Sequence, residues 1–299
     1  MKDVRKMNSF GPVITAMVTP FDEYNQLNIG SLRKLIIHLL KHGSTSLVIT
    51  GTTGEAPTLT AIERLRIWET AVDFAGGTVP IIAGVGTNNT KTTIHNVKLA
   101  EEIGVDAVLV VTPYYNKPNR LGLLTHFKEI ANSTDLPIIL YNIPSRTGVS
   151  LDVETILELS QIQNIVGIKD SSGDLSLLTQ LKKALPNQFA LYSGDDSNYY
   201  DALKLGADGV ISVASHVAGL QMNQLYQLFK EGRLEEAEAL HQKLMPLYRG
   251  LFKTTNPIPI KAVLNQMGME VGSLRLPLVD LDQFESLELY QEIKDLMDR

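Results

Sequence analysis

Eight short apolar runs, each followed by turn residues, constrain the fold of this chain more than any other feature. The runs are rich in β-branched residues, as strands are, and they occupy residues 12–18, 46–50, 79–85, 106–111, 136–141, 164–169, 189–193 and 208–213. Between them, segments such as 29–43, 60–77 and 174–187 carry apolar residues at helical spacing. Thr60 and Asp174 open the last two segments, as helix N-caps would.

The alternation of strands and helices predicts the fold class. Strands that are apolar throughout are typical of a parallel sheet buried on both faces. Eight βα units in a chain of 299 residues match the (β/α)₈ or TIM barrel. We therefore predict an α/β barrel. A doubly wound open sheet is the alternative, and the lack of a dinucleotide-binding fingerprint after the first run argues against it.

The strand pattern stops near residue 220, and only helical patterns follow. Residues 219–252 predict two helices joined by a turn, and 259–269 and 281–298 predict further helices. We expect residues 1–225 to form the barrel that carries the active site. Residues 226–299 should form a C-terminal helical region packed on it, because no low-complexity linker separates the two.

Composition excludes several classes of protein. A formal net charge of −6 argues against a nucleic-acid partner. The chain has no cysteine, no apolar run near the ~20 residues that span a membrane, and no signal-peptide pattern at its start. The six histidines are scattered, so we expect no metal site. These features predict a cytoplasmic protein that binds neither nucleic acid nor membrane.

In barrels of this kind the active site lies at the carboxyl ends of the strands. Lys169 is close to the end of the sixth run, and alternation places it on the same face as Gly167 and opposite Ile168. If Ile168 faces the helices, Lys169 points into the barrel mouth, where desolvation would lower the pKa of its amine. A neutral amine can form a Schiff base with a ketone. A lysine with a buried stem and a hydrated head is the alternative.

Other strand ends carry groups that suit carbonyl chemistry on an acidic substrate. Residues 51–54 (Gly-Thr-Thr-Gly) could cradle an anion or be an ordinary βα turn. Tyr141 is placed for proton transfer, and Arg146 for a carboxylate, although a lone loop arginine is commonly a surface cation. We interpret Asp195 and Asp196 as helix caps rather than as a catalytic pair.

Six motifs carry a family resemblance. They are GTTGE (51–55), TPYYNKP (112–118), YNIPSRTG (141–148), GIKDSSG (167–173), SGDD (193–196) and NPIPIK (256–261). On these motifs the chain resembles the 4-hydroxy-tetrahydrodipicolinate (dihydrodipicolinate) synthase family. That family belongs to the pyruvate-dependent class I aldolases, together with N-acetylneuraminate lyase. The resemblance extends from the first strand to residues 275–281.

The resemblance implies a lyase that condenses pyruvate with L-aspartate 4-semialdehyde, in diaminopimelate and lysine biosynthesis. Pyruvate would be held as a lysine imine, with no separate cofactor. The implied catalytic residues are Lys169, Tyr141, Thr52 and Tyr115, and the implied substrate-binding residues are Thr53, Arg146 and Ile211. In the family the residue matching Tyr115 reaches a neighbouring subunit. A homo-oligomer is therefore implied, usually a tetramer built as a dimer of dimers.

Two other functions remain open from the sequence. A pyruvate-dependent aldolase acting on a keto-sugar acid would share the Schiff-base lysine, but sialic-acid lyases lack an arginine matching Arg146. A non-catalytic barrel that binds a ketoacid is the third hypothesis. Such a protein would need neither Lys169 nor Tyr141.

One departure from the family pattern concerns feedback inhibition by L-lysine. Inhibited members use a glutamate four residues after an asparagine, and here Thr92 follows Asn88 at that distance, with Lys91 beside it. Ala61 and Arg64 replace two histidines of those members. Without the carboxylate, and with added cations, we predict weak or absent inhibition by lysine.

Overall fold

The computed structural model describes residues 10–298, and eight parallel strands in this range form one closed barrel. The strands are Val13–Ala16 (β1), Ser46–Ile49 (β2), Ile81–Gly84 (β3), Ala107–Val111 (β4), Ile138–Asn142 (β5), Ile165–Asp170 (β6), Ala190–Ser193 (β7) and Gly209–Ser212 (β8). Each strand pairs with the next along the chain, and β1 pairs with β8. The predicted barrel is confirmed, and this closing pair rules out the open sheet.

Twelve helices surround or extend the barrel in the described range. Those that connect or follow the strands are Ile29–Lys41 (α1), Ala61–Ala75 (α2), Thr90–Ile103 (α3), Arg120–Ala131 (α4), Pro144–Thr147 (α5), Val153–Leu159 (α6), Leu175–Ala184 (α7), Tyr199–Lys204 (α8) and Ser215–Lys230 (α9). The C-terminal helices are Leu234–Leu251 (α10), Ile258–Gln266 (α11) and Gln283–Asp298 (α12). Within residues 10–298, none of the helices is long and apolar enough to cross a membrane.

The predicted N-caps are confirmed. The hydroxyl of Thr60 accepts a hydrogen bond from the N–H of Glu63, whose carboxylate in turn accepts from the N–H of Thr60. Asp174 accepts from the N–H of Ser176 at the start of α7. These bonds satisfy backbone donors that a helix start leaves free, so they fix where α2 and α7 leave the barrel mouth.

Apolar side chains form two layers. The inner layer fills the barrel, and its buried members are Phe10, Ile14, Ala16, Val48, Ile82, Ala107, Leu109, Ile139, Tyr141, Ile143, Val166, Ala190, Tyr192 and Ile211. The outer layer packs the other faces of the strands against the helices and includes Ile168. Both faces of every strand are therefore covered, as the near-continuous apolar runs predict.

The C-terminal helices are tied to the mouth of the barrel by polar contacts. In α11, Lys261 donates to the carbonyl oxygen of Thr19, which follows β1. The predicted boundary at residue 225 falls within α9, and the division of the chain into residues 1–225 and 226–299 stays a prediction.

Candidate active site

Lys169 points from β6 into the barrel mouth. It is in register with Tyr141 of β5 and Tyr192 of β7, both members of the inner layer. Ile168 lies in the outer layer, so the alternation predicted for this strand is confirmed. The lysine is only 6% exposed. Its stem is therefore surrounded by protein, and only the amine is near the open end of the barrel.

Two neighbours shape the space around the Lys169 amine. The Nζ atom lies 4.4 Å from the centre of the Tyr141 ring. Gly194 leaves room for the stem, since a Cβ there would lie 2.9 Å from Lys169 Cε. Among residues 10–294 the amine has no hydrogen-bond acceptor. It is thus free to react with a bound ligand.

Two aspartates follow β7 close to this lysine. Burial raises the pKa of Asp195 to about 6, although the nearby charge of Lys169 acts in the opposite direction. Asp196 is buried, and its Oδ2 accepts from the N–H groups of Val213 and Ala214, 3.1 Å and 2.9 Å away. Burial also raises its pKa.

The interpretation of this pair as helix caps was wrong. Within the part of the chain that the structure describes, the Asp195 side chain makes no capping hydrogen bond. Asp196 binds backbone donors that follow β8, because β7 and β8 pair with each other and their ends lie side by side. The sequence does not show these partners, since they follow the next strand rather than belong to the same turn.

The turn 51–54 has the form of an anion cradle. Thr50 before it and Glu55 after it have φ of 52° and 54°, which bends the chain tightly at both ends. The N–H groups of Gly54 and Glu55 bond inside the turn, to the carbonyl oxygens of residues 51 and 52. Those of Thr52 and Thr53 have no hydrogen-bond acceptor in the described range. Two backbone donors are therefore available to an anion.

Asn256, in the loop before α11, connects the cradle with Arg146. Its side-chain Nδ2 donates to the hydroxyl of Thr53 over 2.9 Å, and its backbone carbonyl oxygen accepts from the Arg146 guanidinium over 3.1 Å. Sequence reasoning missed this residue. The only signal was the motif 256–261, which carried no role.

A buried ion pair supports the cradle from behind. Lys261 Nζ lies 2.9 Å from Glu55 Oε1 and also donates to the carbonyl oxygens of Thr19 and Ser273. Both side chains of the pair are almost completely buried. Because Glu55 directly follows the cradle, this pair holds the turn against the C-terminal helices. Sequence reasoning missed it too.

A cavity of about 380 Å³ opens at the mouth of the barrel. Thr52, Tyr141 and Arg146 line it together, as their assignment to one site requires. Of the other predicted residues, Thr53 is buried within the cradle, and Ile211 is buried in the inner layer at the end of β8.

Tyr115 is not brought to this cavity. Tyr115 is 88% exposed, and its backbone has a φ of 71°. The adjacent Tyr114, in contrast, lines the cavity. One chain therefore brings Thr52, Tyr141 and Arg146 to one cavity without Tyr115; Lys169 does not line that cavity and reaches it only through its contact with the Tyr141 ring. Among the described residues, no cluster of three or more histidine or acidic side chains could hold a metal.

Sequence comparison places the chain in a family. The model of the dihydrodipicolinate synthetase family matches residues 9–296. The chain belongs to this family. The resemblance predicted from the six motifs is thereby confirmed, and it covers almost the whole barrel and C-terminal region.

Individual members of the family are similar over nearly their full length. The 4-hydroxy-tetrahydrodipicolinate synthase 1 of Halalkalibacterium halodurans is 49% identical over 281 residues, which are 94% of this chain and 95% of that protein. The Bacillus subtilis synthase is 48% identical over 96% of this chain and 100% of its own. A crystal structure of dihydrodipicolinate synthase from Bacillus anthracis superposes with a TM-score of 0.94, at 44% identity, and covers 96% and 98% of the two chains.

Proposed function

We propose that this protein is a lyase that condenses pyruvate with L-aspartate 4-semialdehyde to give 4-hydroxy-tetrahydrodipicolinate, in diaminopimelate and lysine biosynthesis. The observation that carries the proposal is the Lys169 amine. It is buried at a strand end, lies over the Tyr141 ring and has no acceptor among the described residues. Membership of the dihydrodipicolinate synthetase family supports the same reaction.

The first half of the reaction forms a nucleophile from pyruvate. The Lys169 amine adds to the ketone carbon, and loss of water gives an imine. The protonated imine withdraws electrons, so a proton leaves the neighbouring methyl carbon and an enamine forms. Tyr141, whose ring centre lies 4.4 Å from the amine, would carry these protons, and Thr52 and Tyr115 would complete a hydroxyl relay with it.

The second half joins the two substrates. The enamine carbon attacks the aldehyde carbon of the semialdehyde, and the aldehyde oxygen takes up a proton. The amino group of the second substrate then attacks the imine carbon and displaces Lys169, which closes the ring and frees the lysine. No oxidant, reductant or cofactor is needed, because one molecule of water is the only other product besides a proton.

The binding roles follow from the charges of the two substrates. The Thr53 hydroxyl and the free N–H groups of the cradle would hold the carboxylate of pyruvate. Ile211, at the end of β8, would contribute the backbone wall of this pocket. Arg146, which lines the cavity and is anchored on Asn256, would hold the carboxylate of the second substrate.

Borohydride trapping tests the first half of the proposal. Incubation with pyruvate and borohydride should add one reduced pyruvate to Lys169, found by peptide mass spectrometry. Lys261 provides an internal control, since it is equally buried but fully hydrogen-bonded and should stay unlabelled. An unmodified Lys169 peptide would exclude a Schiff-base enzyme of any kind.

A coupled assay tests the second half. Consumption of aspartate 4-semialdehyde, followed with a reductase that acts on the product, should depend on both substrates. Trapping without this turnover would instead support a pyruvate-dependent aldolase of different specificity, such as one acting on keto-sugar acids.

We infer further that the enzyme works as a homo-oligomer, a tetramer built as a dimer of dimers, in which a second copy supplies Tyr115. The exposure of Tyr115 and its position outside the cavity of its own chain support this. Mixing two inactive variants, Lys169→Ala and Tyr115→Phe, should restore part of the activity, because one site of each mixed dimer would be intact. Activity that does not recover after verified subunit exchange would contradict the shared site.

The cytoplasmic location stays a prediction.

A further inference from the structure

Two polar residues directly follow Tyr141 and Lys169 on the neighbouring strands. Asn142 follows Tyr141 at the end of β5, and Asp170 follows Lys169 at the end of β6. The strand register pairs Tyr141 with Lys169, and Asn142 with Asp170. Because side chains alternate along a strand, the first pair points into the barrel mouth and the second pair lies on the outer side, as Ile168 does.

A direct hydrogen bond joins the outer pair. Asn142 Nδ2 donates to Asp170 Oδ1 over 2.8 Å, and both side chains are almost completely buried. The backbone adds a second link, since the N–H of Ser171 donates to the carbonyl oxygen of Asn142 over 2.8 Å. The ends of β5 and β6 are therefore joined one residue beyond the two groups that take part in the proposed chemistry.

The amide oxygen of Asn142 also holds the loop that carries Arg146. Asn142 Oδ1 accepts from the N–H of Leu151 over 3.0 Å, where the chain leaves this loop for α6. Arg146, in α5, lies between the two bonded residues along the chain. One amide side chain thus connects the strand of Tyr141, the strand of Lys169 and the arginine loop.

Asp170 forms no ion pair among residues 10–294, although it is buried. Its second oxygen, Oδ2, accepts from the hydroxyl of Ser172 over 2.7 Å, and that hydroxyl accepts from the N–H of Asp174. Burial raises the pKa of Asp170, and the hydrogen bonds from Ser172 and Asn142 act in the opposite direction. A buried carboxylate without a counter-ion depends on its hydrogen bonds, so the bond from Asn142 is costly to lose.

We propose that Asn142 and Asp170 are positioning residues, whose hydrogen bond holds the two strand ends at the spacing that proton transfer at the imine requires. Their role rests on the proposed function, since the groups that they position are Lys169 and Tyr141. Neither residue lines the cavity, so both act through the strands rather than by contact with substrate. Proton transfer needs groups within hydrogen-bond reach, and a displacement of about 1 Å can cost about 10²-fold in rate.

Four variants separate the hydrogen bond from the residues that make it. Asp170→Ser removes the acceptor together with a buried charge, and Asn142→Ser removes the donor from the other strand. In Asp170→Asn an amide oxygen accepts in place of the carboxylate, and in Asn142→Asp/Asp170→Asn the same bond forms in the opposite direction. The donors of Leu151 and Ser172 keep an acceptor oxygen in both of the last two proteins.

Steady-state kinetics in the coupled assay measure the effect of each variant. In Asp170→Ser and Asn142→Ser, kcat should fall by about 10- to 100-fold, and it should stay within about threefold of wild type in the two variants that keep the bond. KM for pyruvate should change by less than about threefold in all four, because the described cradle residues share no hydrogen bond with this pair. Circular dichroism at the assay temperature shows that each protein is folded.

Asp106 provides a matched control at the other end of the barrel. It precedes β4, and its Oδ2 accepts from the N–H of Ile81 at the start of β3 over 2.8 Å. It thus also joins two neighbouring strands, but at their amino ends, away from the mouth. Asp106→Ala should lower the urea concentration at the midpoint of unfolding and leave kcat unchanged.

Four results would overturn the positioning role. They are a wild-type kcat in the folded Ser variants, a failure of both Ser variants to fold, an equal loss of kcat in the two variants that keep the bond, and a comparable loss in Asp106→Ala. Borohydride trapping of pyruvate on the wild type distinguishes these results from a failure of the proposed function, because a wild type that forms no adduct is not a Schiff-base enzyme.

Discussion

Two lysines among the described residues are almost completely buried, and they differ in what their amines contact. Lys169 is 6% exposed and Lys261 is 0% exposed. Each places its amine over an aromatic ring, 4.4 Å from the centre of Tyr141 and 4.5 Å from that of Phe21. Burial and ring contact are thus nearly the same in the two regions.

The amines of the two lysines differ in their hydrogen bonds. Lys261 uses all three N–H donors, on the Glu55 carboxylate and on the carbonyl oxygens of Thr19 and Ser273. Lys169 has no acceptor among the described residues. The amine of Lys261 is held by three partners and supports the structure, whereas the amine of Lys169 is not held by any described residue and can react with a bound ketone. Burial alone therefore does not make a lysine a catalyst, and the absence of partners is the distinguishing feature.

Replacing Lys169 should have the largest effect on chemistry. In Lys169→Met the nucleophile is lost, so the pyruvate adduct should disappear and kcat should fall by on the order of 10⁴-fold or more. Mass spectrometry after borohydride treatment and the coupled assay measure both. Lys261→Met is the matched control and should still form the adduct at Lys169. Labelling of Lys261 in the wild type would contradict the claim that a buried lysine with all its hydrogen bonds made does not react.

Replacing Lys261 should have the largest effect on stability. Lys261→Met leaves the Glu55 carboxylate buried without its counter-ion, which should lower the free energy of unfolding by about 3–5 kcal/mol. Urea unfolding followed by circular dichroism measures this. The double variant with Glu55→Gln should be less destabilised than the two single changes added together, because each single change already breaks the pair. A loss below about 1 kcal/mol for Lys261→Met would contradict a structural ion pair.

The two lysines also mark how far the sequence could predict the site. Lys169 was predictable, because strand alternation with Gly167 and Ile168 assigns its face from three adjacent residues. The barrel was predictable for a similar reason, since each strand and each N-cap is encoded by a short stretch. Local patterns of this kind need no knowledge of distant contacts.

Lys261 was not predictable from such patterns. Its partners Glu55 and Thr19 lie 206 and 242 residues away along the chain, and Asn256 lies 203 residues from Thr53. On a helix, a lysine commonly extends into solvent, and periodicity cannot show that a carboxylate from another turn will meet it. The capping interpretation of Asp196 failed for a similar reason, because the backbone donors that it binds follow the neighbouring strand β8.

Changing Tyr141 to Phe makes the surroundings of Lys169 resemble those of Lys261, which lies over Phe21. The ring under the amine is kept and only the hydroxyl is removed. We expect kcat to fall by about 10²–10³-fold, as for loss of a proton-transfer group, with little change in KM for pyruvate. Steady-state kinetics measure both values. An unchanged kcat would assign the proton transfer to another group.

A variant at Asp195 tests whether the carboxylate of this residue pairs with Lys169 in the folded protein. The folded-state pKa of Asp195 is raised from 3.8 to about 6, so between these values the folded state binds more protons than the unfolded state. Its contribution to stability is therefore lost as pH rises from about 4 to about 6.

Asp195→Asn should consequently stabilise the protein at pH 7 relative to wild type, by on the order of 2 kcal/mol, and have little effect near pH 4. Unfolding of both proteins at the two pH values measures this difference. The sign is opposite to that expected for Glu55→Gln. Destabilisation at pH 7 would mean that Asp195 pairs with Lys169 as Glu55 pairs with Lys261.

Free L-lysine provides the smallest expected effect. The Lys261 site shows what a buried ammonium requires in this protein, namely a carboxylate and backbone carbonyl oxygens. The described residues lining the cavity offer no carboxylate, and two of them, Arg64 and Arg146, repel a cation. Arg64 could bind the carboxylate of free lysine, but neither ammonium group of that ligand would find a counter-ion among the described residues of the cavity. Initial rates should therefore change little with added L-lysine, and an inhibition constant well below about 1 mM would show that a carboxylate from elsewhere completes the site.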